Sequence, residues 1–170
     1  MIGLFDRAGL PNFYSRTQSI FGEGEPAEYL YKIQFGCIRT YITLNDGRRQ
    51  IGSFYFPGDV IGLGANKEHS VSAEAVTRCN VFVTERKSVL SHAGEGNLVL
   101  RQLLELTNFE LQRTQSHIVL LLKTAQERVI GFLLEMEKRQ HAHGAVESPL
   151  SRRDIADNLG LTIETVSRVF

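Results

Sequence analysis

Three side chains near the end of this 170-residue chain stand at a spacing suited to reading nucleic acid. Glu164, Ser167 and Arg168 fall on one face of a helix, while Ile163, Val166 and Phe170 share another. An Arg bonds guanine O6 and N7, a Glu accepts from cytosine N4, and a Ser reaches a base edge. One face would therefore pack and the other would offer a guanidinium, an acceptor and a hydroxyl to a groove. Spacing alone leaves a second reading open, in which the three are a solvated helix face.

Other chemistry is thin. Cys37 and Cys79 stand 42 positions apart with no Cys-x-x-Cys partner. Two such residues in strand-like surroundings read as small core residues of a chain from a reducing compartment. Redox sensing, the other reading, needs an exposed thiolate of low pKa. His92, His117, His141 and His143 are dispersed, with no carboxylate or Cys pattern to complete a metal site. Gly22-Glu-Gly24 and Gly62-Leu-Gly64 open no helix in a βαβ setting, so neither is a phosphate loop. No catalytic constellation, cofactor motif or metal site emerges, and an enzyme is not expected.

The candidate reading face must be positioned by helices. Asn97 to about Leu122 holds no Gly or Pro. Leu104, Leu111 and Ile118 are seven apart, with Leu100, Thr107, Thr114 and Leu121 as the companion set at heptad spacing. Leu103, Leu106 and Phe109 form a second apolar stripe. One seam for the core and one for a partner make a dimer helix, whereas a single wide core face is the plainer alternative. Thr124-x-x-Glu127 fits a capping box ahead of Ala125, Val129, Phe132, Leu133 and Met136. His141 to Pro149 reads as a loop. Ser151-x-x-Asp154 caps a short helix with Ile155, Ala156 and Leu159 facing inward, Gly160 permits a sharp turn, and Thr162 caps a last helix. Two short helices joined by a Gly-containing turn make a helix-turn-helix.

Upstream, Arg16 to about Ser88 is rich in β-branched and aromatic residues broken by Gly. Tyr29–Ile33, Cys37–Thr43, Gln50–Phe56, Val71–Val76 and Asn80–Thr84 read as strands. Asn45-Asp46-Gly47 supplies the turn that pairs the second with the third. Many short strands at this spacing predict an antiparallel barrel or jelly roll. The fold class expected is therefore α+β: a β-roll, then a long helix, then a helical helix-turn-helix.

Composition bounds the partners less well. Lys plus Arg number 19 and Asp plus Glu number 19, a net charge of zero that gives no electrostatic support to DNA binding. The longest apolar run, Ile118 to Leu122, is far too short to span a bilayer. Met1–Leu10 lacks the pattern of a secretory signal, so a cytoplasmic chain is expected.

Ser151-Arg-Arg-Asp-Ile-Ala-Asp-Asn-Leu-Gly-Leu-Thr-Ile-Glu-Thr-Val-Ser-Arg168 resembles the helix-turn-helix of the Crp/Fnr family. Phe21-Gly-Glu-Gly-Glu-Pro26, Tyr29-x-Tyr-x-Ile33, Gly36, Asp46-Gly47-Arg48-Arg49-Gln50 and Phe56-Pro-Gly-Asp59 resemble its sensor roll, the cyclic-nucleotide-binding-like domain. The resemblance implies a roll at 1–93, a dimerisation helix at 94–122 and a DNA-binding domain at 123–170. It also implies a homodimer on double-stranded DNA, with RNA polymerase as a further partner and no membrane. The Glu-x-x-Ser-Arg spacing is similar to the Fnr and FixK branches, which implies a palindrome like TTGAT-N4-ATCAA. Carried over, Thr162, Glu164, Thr165, Ser167 and Arg168 bind DNA, and Leu100, Leu104, Leu111, Ile118 and Leu121 form the dimer seam.

The departures matter as much. An oxygen-sensing iron–sulfur cluster needs four thiolates, and this chain has two Cys, none before Gly36. Catabolite activators hold cyclic AMP with Gly-Glu and, eleven residues later, Arg-Ser. A gapless match gives Gly58-Asp59 and His69-Ser70, which removes the permanent bidentate phosphate partner. These four residues are at most a ligand pocket, and cyclic nucleotide binding is not expected. By elimination the chain is similar to the FixK type, an activator of microaerobic or nitrogen-fixation genes. Family members continue into a wing beyond the recognition helix, so an incomplete reader is expected here. The competing readings are a ligand-sensing, dimerising module of the same family without DNA binding, and a cupin-like enzyme. The last would need a His/Glu metal cluster on the strands, where only His69 is present.

Overall fold

The computed structural model describes residues 9–95, 97–141 and 149–170 of the chain. The loop expected at 141–149 lies outside the described residues save for its first and last positions. Eight strands come first: β1 (Leu10–Tyr14), β2 (Ser19–Phe21), β3 (Tyr29–Phe35), β4 (Ile38–Thr43), β5 (Arg49–Tyr55), β6 (Val60–Ile61), β7 (Ser72–Ala75) and β8 (Cys79–Glu85). They form two four-stranded antiparallel sheets, ordered β1-β8-β3-β6 and β2-β7-β4-β5. The expected hairpin is β4–β5, with Thr43 opposite Arg49 across the Asp46-Gly47 turn. β1, β2 and β6 went unread in the sequence because each is short or carries Pro or mixed polarity.

Both sheets contribute to one apolar interior. Tyr31, Ile33, Ile61, Cys79 and Val81 from the first pack against Phe21, Ile38, Tyr55, Ala73 and Ala75 from the second. Gly36, between β3 and β4, has φ +94°, and a Cβ there would lie 2.3 Å from the Arg78 carbonyl oxygen. Only glycine lets the chain turn so close to the neighbouring backbone. Cys37 and Cys79 are free and buried, and burial is the main force pushing both thiols up.

Five helices follow: α1 (Arg86–Glu95), α2 (Asn97–Leu121), α3 (Ala125–His141), α4 (Arg152–Leu159) and α5 (Ile163–Val169). α1 was not expected from the sequence, since its apolar positions are few. Its Val89 is buried with Leu30 and Val60, and Val99, Leu103 and Leu106 of α2 pack against the same cluster. Phe109 was read as a member of that inward stripe. It is instead 70% exposed, and its neighbour Glu110 takes the place facing the roll, bonded to Tyr55. Both capping boxes form. Thr124 Oγ1 accepts from the Glu127 N–H at 3.4 Å, and Glu127 accepts from the Thr124 N–H at 3.0 Å. Ser151 and Asp154 exchange the same pair of bonds ahead of α4, which ends at Gly160 in the left-handed conformation.

The helical end of the chain packs on the roll. Ile51, Phe54, Phe56, Cys37 and Val76 share a core with Leu120, Val129, Phe132, Met136, Ile155, Leu159 and Val166. Burying that much apolar surface drives the docking.

Candidate nucleic-acid interface

α4, the Gly160 turn and α5 build the candidate reader. Ile155, Ala156 and Leu159 of α4 and Val166 of α5 are buried in the shared core, so the two helices are held at a fixed angle. Thr162 is the N-cap of α5, accepting from the Thr165 N–H at 3.2 Å, and the two hydroxyls lie 3.0 Å apart. Glu164 and Arg168 are exposed to solvent on α5. The Glu164 carboxyl is held below its usual range, first by its own backbone N–H and then by the Thr162 hydroxyl. It is therefore ionised at neutral pH and acts as an acceptor. Ser167 is half-buried, with the Arg152 guanidinium 3.4 Å from its hydroxyl. Phe170 was placed on the packing face with Ile163 and Val166. The α-helix stops at Val169, and it is Val169 that packs inward beside Ile163. Phe170 is 60% exposed, and the Arg152 guanidinium lies over its ring at 5.5 Å.

α2 carries the residues read as a dimer seam. Leu100, Leu104, Leu111 and Ile118 are 49%, 56%, 54% and 54% exposed, and Leu121 is half-buried. Phe109 and Val119 add to this apolar surface. At its other face α2 is tied to the roll: Tyr55 Oη meets Glu110 at 3.2 Å, and Arg113 donates to the Phe54 carbonyl at 3.2 Å.

The four residues read as a ligand pocket do not stay together. A cavity of about 280 Å³ in the roll is lined by His69 and Ser70, with Phe21, Gly62, Leu63, Arg86 and Glu110 among its other walls. Gly58 and Asp59 are not among its walls. Asp59 turns the other way and accepts from the Phe56 N–H at 2.9 Å and from Arg139 of α3 at 2.8 Å. The gapless match grouped the two pairs by spacing alone, and the Asp59 carboxylate is taken up instead by the Phe56 N–H and Arg139. The cavity fits an anionic phosphate poorly. His69 stacks on Phe21 at 3.7 Å, and burial chiefly lowers its pKa, so it is neutral. Arg86 donates to the carbonyl oxygens of Gly62 and Asn66.

Sequence reasoning missed the polar contact between roll and reader. Arg39 of β4 donates to Asp154 of α4 at 2.5 Å and to Glu74 of β7 at 2.6 Å. Arg49, read with Arg48 as a solvated turn, lies 3.5 Å from Asp157 and 3.7 Å from Glu74. Arg48 alone is solvated, paired with Asp46 at 2.7 Å. The sequence carried no signal for this contact, since a charged residue in a strand reads the same against water or against a neighbouring helix.

A two-sheet roll, a long helix with an apolar outer face and a helix-turn-helix define a class of regulator built from a sensor and a DNA reader. The cyclic nucleotide-binding domain family matches residues 11–93, and the Crp-like helix-turn-helix family matches residues 127–170. The chain belongs to the Crp/Fnr family of transcription regulators and is FixK-like within it. It is 42% identical over 166 residues to the nitrogen fixation regulation protein FixK of Azorhizobium caulinodans, covering 94% of this chain and 67% of that protein. It is 37% identical over 157 residues to FixK of Rhizobium meliloti, covering 92% and 71%. The structure of FixK2 from Bradyrhizobium japonicum superposes with a TM-score of 0.89 at 46% identity, over 95% of this chain and 82% of that one.

Proposed function

We propose that the chain acts as a symmetric dimer that reads a TTGAT-N4-ATCAA-like palindrome and activates nitrogen-fixation or microaerobic genes. The dimer seam is Leu100, Leu104, Leu111, Ile118 and Leu121, on the face of α2 turned away from the roll. The base-reading residues are Glu164, Ser167 and Arg168, with Thr162 and Thr165 at the helix start against the phosphates. The roll spans 1–93, the dimer helix 94–122 and the reader 123–170. The observation that carries this reading is the division of α5: Val166 is buried in the core while Glu164 and Arg168 face solvent. The names of the FixK relatives support the class of target genes.

Two recognition helices in such a dimer sit one DNA turn apart, about 34 Å. Arg168 pairs with a guanine, Glu164 accepts from the opposite strand, and Ser167 contacts a thymine. The roll cavity does not take a cyclic nucleotide, since its one arginine serves backbone carbonyls. RNA polymerase is the activation partner, and the cytoplasm is the site of action. No described helix is long and apolar enough to cross a membrane. The test is a binding titration with the palindromic duplex against a scrambled duplex at fixed salt. Preference for the palindrome supports the reading, and equal binding to both duplexes removes the assignment of Glu164, Ser167 and Arg168.

A further inference from the structure

We infer that the ion-pair cluster between roll and reader is a positioning device: Arg39, Arg49 and Glu74 set the angle at which the reading helix is presented. The inference rests on the proposed DNA reading. The chain path joins α2 to α3 through the short turn at Leu122–Thr124, a single attachment about which a domain can pivot. Further attachments remove the pivot: Arg139 of α3 supplies one at Asp59, and this cluster supplies another on α4, next to the reading helix. The Arg39 guanidinium forks, one nitrogen to Asp154 on α4 and the other to Glu74 on β7. Arg39 and Glu74 are register partners on adjacent strands, so the roll holds the fork rigidly. Arg49 adds Asp157, one turn further along α4.

The division of labour follows from the physics of each contact. The apolar core beneath supplies most of the attraction but little directional preference. The fork is directional, because a guanidinium bonds carboxylates in its own plane. Arg39 is 8% exposed and Asp154 5%, so the pair is weakly screened by salt. Asp154 also closes the capping box of α4 with its other oxygen. One carboxylate thus joins the local geometry of the reader's first helix to its place on the roll. All the reader's cluster residues lie on α4, and none lies on α5 with Glu164 and Arg168. The cluster therefore holds the reader while leaving the reading face open.

The test is the variant Arg39→Gln/Glu74→Gln, which removes one charge of each sign, keeps Arg49 facing Asp154 and leaves the α4 capping box intact. Spin labels on Asn45→Cys and Arg153→Cys report the distance between the roll hairpin and α4, since both positions are exposed and both native thiols are buried. The labelled parent is expected to show one narrow distance distribution, and the variant a broader one with its cooperative melting transition retained. In parallel, both proteins are titrated with palindromes carrying N4 or N6 spacers. The parent is expected to prefer N4 by about tenfold, and the variant by less than about threefold, because a pivoting reader tolerates both spacings. A folded variant with an unchanged distance distribution overturns the inference, as does a broadened distribution with the spacer preference intact. Should the variant not fold, Arg39→Lys keeps the charge and loses the fork, and the same two readouts decide. A parent that ignores the palindrome altogether sinks the DNA reading, while the distance distribution still judges the cluster.

Discussion

Gln50 and Asn158, one on strand β5 and one on helix α4, bond across the domain boundary in both directions. The Gln50 side chain donates to the Asn158 carbonyl at 3.1 Å, and the Asn158 side chain donates to the Ile51 carbonyl at 3.1 Å. The exchange resembles a rung of sheet ladder made with amide side chains. Replacing Asn158 with Leu removes this donor from the Ile51 carbonyl, which keeps the longer bond from the Gln50 amide at 3.3 Å. Asn158→Leu is therefore expected to cost about 0.5–1.5 kcal/mol in urea denaturation, the net worth of one such bond. A cost below about 0.5 kcal/mol would mean that the amide bond adds nothing to the apolar docking around it.

Arg168 is exposed on the outer face of α5. Arg168→Ala is expected to remove about 1–3 kcal/mol of discrimination at one base pair of each half-site. Binding to duplexes with single base substitutions measures this. An equal loss on specific and random DNA would recast Arg168 as a phosphate contact.

The outer seam of α2 is apolar and open to solvent at Leu111 and Ile118. In the proposed dimer, Glu at both positions would put like charges across the two-fold axis. Sedimentation of Leu111→Glu/Ile118→Glu is expected to show a monomer where the parent is a dimer, with the roll's melting transition retained. Palindrome affinity should fall by at least about tenfold, since each half-site then binds alone. A variant that still sediments as a dimer would place the interface elsewhere.

His69 and His117 are both held below the usual imidazole pKa, in each case chiefly by burial. Arg86 adds to the effect at His69 while Glu25 opposes it. At His117, Glu135 and a bond to the Asn158 backbone oppose it. The unfolded chain takes up these protons near pH 6.5, before the folded chain does. Stability is therefore full above about pH 6.5 and declines as the pH falls toward the depressed folded values. Melting temperatures between pH 7.5 and 5.5 should fall, and His69→Gln/His117→Gln should flatten that fall. An unchanged slope in the double variant would assign the acid sensitivity to carboxylates.

Elements with a period or a cap were legible in the sequence. Ser151, Asp154, Gly160 and Thr162 announced both reader helices, because capping chemistry is local and needs no tertiary context. The β4–β5 hairpin was legible from its Asp46-Gly47 turn. β1 was not, since its pairing with β8 depends on residues far away. The exposed side of α5 at Glu164 and Arg168 was legible for the same local reason as the helices. Arg39 and Glu74 were not, because a charged residue in a strand looks the same whether it meets water or another domain. The misplaced Gly58-Asp59 shows the complementary failure, in which a motif carried at fixed spacing put two residues at a cavity they do not line.

The order in which the roll closes has a consequence for synthesis. Strand β1 pairs with β8, Leu10 opposite Val83 and Tyr14 opposite Cys79. On the ribosome its partner is made about 70 residues later, an interval on the order of ten seconds. Leu10 and Phe13, which stay exposed even in the finished roll, spend that interval without a sheet to join. The nascent chain thus presents an unpaired apolar strand to the cell before the roll can close.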